Sequence, residues 1–361
     1  MKIGDVVHWF VTDKCNIDCI YCFKPILDSS EVLSRIEELT QILVSNHVKK
    51  VIIGGGEPLI VKGLEKVLEQ LKQENVYVSL HTNGLGLDDN RIAQLSGLVD
   101  DIALPIDSVN ESIQKHLRGE KFLAVFDNFS GLVDKIQAQG IKIGYHTVFT
   151  AINYQEVPEI YDFISQKPFD YWRIYEFNFE LPFQNFLLKY NEKKATPKII
   201  EKYEQLTRLA GKGSPEKGYT DTLFANFILM EEQMKKNNDK RIQFVGIRDF
   251  SKPVYVFLDN SGDIRFYSWF SDRARRVIGN ILTEGFSVVR SKLEEQAEKG
   301  WTYDGKGEDE FINAKCNREL WARYYEGAFD IEEIEMIQPE YLDKFYHLVD
   351  LFNKREQKQE K

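Results

Sequence analysis

Cys15, Cys19 and Cys22 stand within one eight-residue stretch of a 361-residue chain that has only four cysteines. An odd thiol triplet makes no disulfide framework, and zinc sites usually assemble four ligands from nearby pairs. Three thiolates at Cys-x₃-Cys-x₂-Cys spacing suit one iron–sulfur cube whose fourth iron stays open to an outside ligand. Tyr21 before the last cysteine and Phe23 after it would keep one side of such a cluster dry. A zinc knuckle and plain thiols are the blander alternatives. Cys316, the remaining thiol, cannot hold a cluster alone and reads as a small buried apolar residue. A hydrogen-atom donor is its sharper reading.

Downstream, the β-branched run Val51-Ile52-Ile53 opens into Gly54-Gly55-Gly56-Glu57-Pro58. Glycines let backbone approach a ligand closely, Glu57 offers a carboxylate to an ammonium group, and Pro58 stiffens the exit. An ordinary strand–helix turn is the plainer reading. Together, the cysteine loop and the Gly-Gly-Glu-Pro turn resemble the radical S-adenosylmethionine (radical SAM) superfamily. That resemblance implies a 4Fe–4S cluster on Cys15, Cys19 and Cys22, with S-adenosylmethionine chelating the open iron. Gly55, Gly56, Glu57 and Pro58 would then meet this cofactor, Glu57 and glycine carbonyls receiving its ammonium. By the same resemblance Asn83 sits near cofactor or substrate, Asp107 and Ser108 near the ribose, and Arg118 at the methionyl carboxylate. Otherwise Asn83 is a turn residue and Arg118 a solvated loop arginine.

The implied activity is reductive cleavage of S-adenosylmethionine to a 5′-deoxyadenosyl radical, which takes a hydrogen atom from a small-molecule or peptide substrate. The electron would come from a donor such as flavodoxin or ferredoxin. A weaker resemblance, over residues 6–180, is to the viperin-like, nucleotide-modifying members. It rests on Cys22-Phe23, on Ile106-Asp107-Ser108 followed by Arg118-Gly119, and on Thr147-Val148-Phe149-Thr150-Ala151-Ile152-Asn153. Gly144 and Ala151 stand where those members carry a lysine and an arginine, which weighs against a triphosphate substrate. A non-catalytic iron–sulfur sensor or binding protein is the alternative of another class, but it has no need of an ammonium site at Glu57.

These residues need a scaffold. Apolar runs at 6–11, 51–53, 76–80, 102–107, 143–149 and 171–177 read as strands. Between them lie helical stretches, for example 30–46 with Val32, Ile36, Leu39 and Leu43 on one face, and 122–138 with Phe126, Phe129, Val133 and Ile136. Strand–helix alternation points to parallel, right-handed units. The expected fold is α/β: a partial (β/α)6 TIM-type barrel over residues 1–185, with a mixed α+β C-terminal extension over 186–361. Pro105 suggests a bulge or strand end. The cysteine loop, the glycine turn, Asn83 and Asp107 all fall at carboxyl ends of strands, where barrel sites lie. His8, His81 and His146 read as lining or core residues. Tyr145, Arg173 and Tyr175 are expected at the pocket floor.

In the extension, helices are expected at 197–209, 221–235, 316–325 and 339–354. A hairpin turning at Asp259-Asn260-Ser261-Gly262 is expected to form a lid over the pocket. The net charge of −10 argues against a nucleic-acid backbone as partner. No run approaches the roughly 20 apolar residues that span a bilayer. With no signal-peptide core at the N-terminus and reduced cysteines, the expected location is the cytoplasm.

Overall fold

The computed structural model describes residues 3–22, 24, 33–177, 221–245, 255–265 and 277–298, with a few positions between 201 and 209. Cys316 and the helices expected at 316–325 and 339–354 lie outside these residues. The helix expected at 197–209 is described only in part, and its Leu206 and Leu209 are buried.

Six parallel strands carry the site: β1 (Val6–Thr12), β2 (Lys50–Gly55), β3 (Tyr77–His81), β4 (Asp101–Pro105), β5 (Lys142–Phe149) and β6 (Tyr171–Glu176). They pair in chain order. Helices α1 (Leu33–Ser45), α2 (Leu64–Gln73), α3 (Asp89–Leu95), α4 (Glu111–Arg118), α5 (Leu123–Phe126), α6 (Phe129–Ala138) and α7 (Val157–Ile164) cover the outer face. Both faces of the strands are covered, so β1 is apolar almost throughout. Val7, Trp9 and Val11 are fully buried, at the positions alternating with His8 and Phe10. Ile36, Leu39 and Leu43 form the buried stripe of α1, as their helical spacing predicts. β4 ends at Pro105. The single helix expected over 122–138 is instead two, α5 and α6, parted at Asp127 and Asn128.

The six-stranded unit does not stand alone. β7 (Ile242–Val245) adds in parallel to β6, and β8 (Tyr255–Asp259) adds in parallel to β1. β9 (Asp263–Arg265) and β10 (Val277–Asn280) continue from β8 in antiparallel order. The result is an open ten-stranded sheet, β10-β9-β8-β1-β2-β3-β4-β5-β6-β7. Helices α8 (Asp221–Lys235) and α9 (Phe286–Glu298) complete the described elements. No described helix is long and apolar enough to cross a membrane.

The hairpin at 255–265 therefore extends the sheet beyond β1 and is not the expected lid; Phe257 is its contribution to the cavity wall. The backbone donors and acceptors of β8 find partners on β1 and those of β9 on β8 and β10, whereas a lid would leave many of them to water. The β1–β2 register slips between Phe10 and Thr12, a bulge that steers the end of β1 into the cysteine loop. Asn260 secures it. Its Nδ2 donates to the Val11 carbonyl, and its Oδ1 accepts from Trp9 Nε1 at 3.1 Å.

A polar plug closes the N-terminal end of the strands. Asp101, fully buried, accepts from Ser79 and from the Tyr171 hydroxyl at 2.8 Å, with Lys50 Nζ 3.7 Å away.

Replacing Asn260 by alanine leaves a buried indole N–H and a buried carbonyl unpaired. The expected cost is about 2 kcal/mol of stability, read as a lower denaturation midpoint of the cluster-free protein.

Candidate active site

The loop after β1 is pinned before any cofactor is considered. Lys14 N donates to Thr12 Oγ1 (3.0 Å), Ile20 N to the Leu117 carbonyl (3.0 Å), and Cys22 N to the Cys19 carbonyl (3.2 Å). Cys15, Cys19 and Cys22 are free, half-buried thiols lining one cavity of about 240 Å³.

The glycine turn after β2 clamps this loop. Gly56 N donates to the Thr12 carbonyl (2.6 Å) and Glu57 N to the Lys14 carbonyl (2.8 Å). A Cβ on Gly55 would lie 2.3 Å from Thr12 O, and one on Gly56 only 1.9 Å from Lys14 O. Gly55 also has φ +122°, where side chains are strained. The glycines thus admit a neighbouring backbone, a role beyond the ligand approach that their sequence suggests.

Glu57 is wholly buried and does not line the cavity. Its Oε1 accepts from Leu59 N (3.0 Å) and Thr82 Oγ1 (2.7 Å), and its Oε2 accepts from Asn83 N (2.7 Å). Burial pushes the carboxyl pKa up, and these three hydrogen bonds pull against that rise. Pro58 starts the short 3₁₀ turn Pro58–Ile60, behind the cavity wall.

Asn83 is both a turn residue and a lining residue. Its Oδ1 accepts from Leu85 N (2.9 Å), while Nδ2 donates to Asn16 Oδ1 (2.6 Å) and to Cys15 Sγ (3.8 Å). Arg118, the last residue of α4, is buried rather than solvated; it donates to Cys19 Sγ (3.8 Å). Its Nε lies 2.6 Å from Asp107 Oδ2, which also accepts from the Tyr21 hydroxyl, and Asp107 Oδ1 takes Val148 N (2.8 Å). Asp107 and Ser108 are fully buried and stay behind the wall, Ser108 bonded to Glu156. Of the eight residues expected at the cofactor, then, Gly55, Gly56, Asn83 and Arg118 face the cavity. Glu57 holds Asn83 and Asp107 holds Arg118, while Pro58 and Ser108 direct their hydrogen bonds to other residues. Thr82 was not singled out by sequence reasoning; its place in Thr82-Asn83-Gly84, after a strand, was the available sign.

His8, His81, His146 and Tyr175 line the cavity, but Tyr145 does not. Strand alternation turns Tyr145 outward, where it packs on Phe129 and Phe169. Arg173, half-buried and absent from the lining, lies over the Tyr171 ring and donates to Gln243.

The donor set fits an iron–sulfur cube. Side-chain N–H groups reach two of the three sulfurs, as outer hydrogen bonds commonly do at such clusters. Burial pushes the Cys19 thiol up to about 12 against the pull of Arg118, and raises Cys22 against Lys24. Loading therefore has to expel thiol protons.

Comparison with known proteins follows the same lines. A model of the radical SAM superfamily matches residues 9–164. The chain is 27% identical over 180 residues to an S-adenosylmethionine-dependent nucleotide dehydratase of Lacinutrix mariniflava, covering 46% of this chain and 37% of that one. It is 26% identical over 233 residues to a GTP 3′,8-cyclase of Helicobacter pylori, covering 60% of this chain and 68% of the cyclase. The chain thus spans little more than a third of the dehydratase. Among solved structures, anSMEcpe with bound AdoMet superposes with a TM-score of 0.54 at 15% identity, over 89% of this chain and 95% of that one. That last likeness is one of fold.

Gly56→Ala should force the cysteine loop away from the turn. The expected result is a folded protein, by circular dichroism, that takes up little or no iron. Glu57→Gln leaves one of three buried donors facing an amide N–H₂. It should cost about 1–3 kcal/mol in a denaturant titration, with cluster content falling in step.

Proposed function

We propose that the protein is a radical SAM enzyme acting on a small molecule or peptide, a reading that the match of residues 9–164 to a model of that superfamily supports. The observation that carries this reading is one cavity at the carboxyl ends of parallel strands that gathers Cys15, Cys19, Cys22, the glycine turn, Asn83 and Arg118. The family's cofactors, a 4Fe–4S cluster and S-adenosylmethionine, supply a 5′-deoxyadenosyl radical that abstracts hydrogen from an otherwise inert C–H bond. The chain's own part is to hold and orient. Cys15, Cys19 and Cys22 bind the cluster; Asn83 and Arg118 direct N–H groups at two of their sulfurs. With Glu57 saturated by Leu59, Thr82 and Asn83, the carbonyls of Gly54 to Gly56 are left to receive the cofactor ammonium. Arg118, neutralised by Asp107 at Nε, keeps further N–H groups for the methionyl carboxylate. The aromatic wall excludes water. A flavodoxin- or ferredoxin-type donor would supply the electron.

A nucleotide substrate is the second reading, favoured by the names of the dehydratase and the cyclase. Against a triphosphate stands Gly144: a Cβ there would lie 2.1 Å from the Tyr171 ring, so that ring fills the space a side chain would need.

Anaerobic reconstitution should give about four irons per chain, and 5′-deoxyadenosine on adding reductant and S-adenosylmethionine. The Cys15→Ala, Cys19→Ala, Cys22→Ala triple variant should be colourless. Iron retained by that variant, or twice the iron in the parent, would overturn the single-cluster assignment. A cluster without cofactor cleavage would favour the sensor reading.

A further inference from the structure

The cysteine end of the cavity is accounted for by the cofactors, but its inner wall is not. Strand alternation turns His8 and Phe10 of β1, His81 of β3, His146 of β5, Tyr175 of β6 and Phe257 of β8 inward, and all six line the cavity. Three of these rings form a slab. His8 stacks on Phe10 at 4.9 Å and 22°, Phe10 stacks on Phe257 at 5.3 Å and 12°, and His8 lies 5.0 Å from Phe257. His81 stands edge-on to His8 at 5.3 Å, and His146 in turn edge-on to His81 at 4.3 Å. The wall is built around these imidazoles, since a Cβ on Gly54 would lie 2.6 Å from His8 Nε2.

Two polar atoms in this wall are buried without a hydrogen-bond partner, His81 Nε2 and His146 Nε2. Burial is the main cause that holds all three histidines uncharged. It takes His8 down to about 3, with Arg173 adding to the effect, and puts His81 and His146 well below the ordinary range. The cavity's described cations, Lys24 and Arg118, are at the cysteine end, Arg118 already paired with Asp107. Below the wall, Tyr171 occupies the space over Gly144, and Asp101 holds its hydroxyl.

We propose that this inner wall is a subsite for an uncharged aromatic ring with a hydrogen-bonding edge. The ring lies against the His8–Phe10–Phe257 slab, and its polar edge meets the imidazoles of His81 and His146, whose buried Nε2 atoms reach it by a small turn of each ring. A charged group here would lose its water, and Arg173, the cation whose charge reaches all three histidines, stands outside the lining. A purely apolar ring would leave both nitrogens unpaired. A hydroxyl or ring N–H satisfies a neutral imidazole in either tautomer or by a small rotation. The placement rests on the radical SAM reading in one respect, that the reacting C–H bond must be carried on or beside this ring.

The test uses three probes of one shape, p-cresol, toluene and 4-methylbenzoate, with the reconstituted, unreduced protein and S-adenosylmethionine. Binding is followed by calorimetry and by nitrogen-15 shifts of labelled histidines, assigned with single His→Phe variants. The expected result is saturable movement of the His81 and His146 Nε2 resonances by p-cresol, bound about tenfold tighter than the other two. His81→Phe with His146→Phe should bring p-cresol down to the level of toluene. Equal binding of toluene and p-cresol, tighter binding of 4-methylbenzoate, or unmoved histidine resonances each overturn the proposal. 5′-Deoxyadenosine formation, measured on the same preparation, separates the two claims. Cleavage without ring binding sinks the subsite alone, and ring binding without cleavage sinks the catalytic reading alone.

Discussion

The buried carboxylate of Glu57 is the constraint on which the site depends. It ties the turn after β2 to the turn after β3 through Thr82 and Asn83, and so fixes where the Asn83 side chain points. Asn83 in turn reaches Cys15 and Asn16. A carboxylate with no solvent exposure is costly unless its oxygens are met, and here both are. A second buried carboxylate, Asp107, does the same on the far side, joining β4, β5, Tyr21 and Arg118 beneath Cys19. The cysteine triplet hangs between these two anchors. Neither acid faces the cavity.

Backbone contact completes the frame. The glycine turn and the cysteine loop meet main chain to main chain, with hydrogen bonds of 2.6 and 2.8 Å and no room for a Cβ between them. The two most informative stretches of sequence are therefore one structural unit. Residues that each read as a ligand contact are, in part, contacts of the protein with itself.

Much of this was legible in the sequence, and the gaps have physical causes. Six largely apolar runs and the helices between them located the parallel strands, because strands covered on both faces are apolar over most of their length. The thiol triplet and the glycine turn located the mouth of the cavity. The direction of Glu57 was not legible, since its partners Thr82 and Asn83 are brought to it by another strand, and no local pattern encodes that meeting. Tyr145 was misplaced by one step of strand parity: its neighbour His146 faces inward, so Tyr145 cannot. β7 and β10 have four residues each, too few for alternation to stand out. The hairpin around Asn260 was recognised as a hairpin, but its partner strand lies about 250 residues away along the chain and was invisible locally.

That distance sets an order of events for a ribosome-bound chain. β1 and the cysteine loop emerge first, yet one edge of β1 waits for β8, and the Val11 bulge waits for Asn260. Contacts of such sequence separation form late, after the local strand–helix units have collapsed. The thiols that emerge earliest are thus the last to gain their full support. A nascent chain would carry them unframed until β8 has been made and pairs with β1, in the charge of whatever guards cysteines in the meantime.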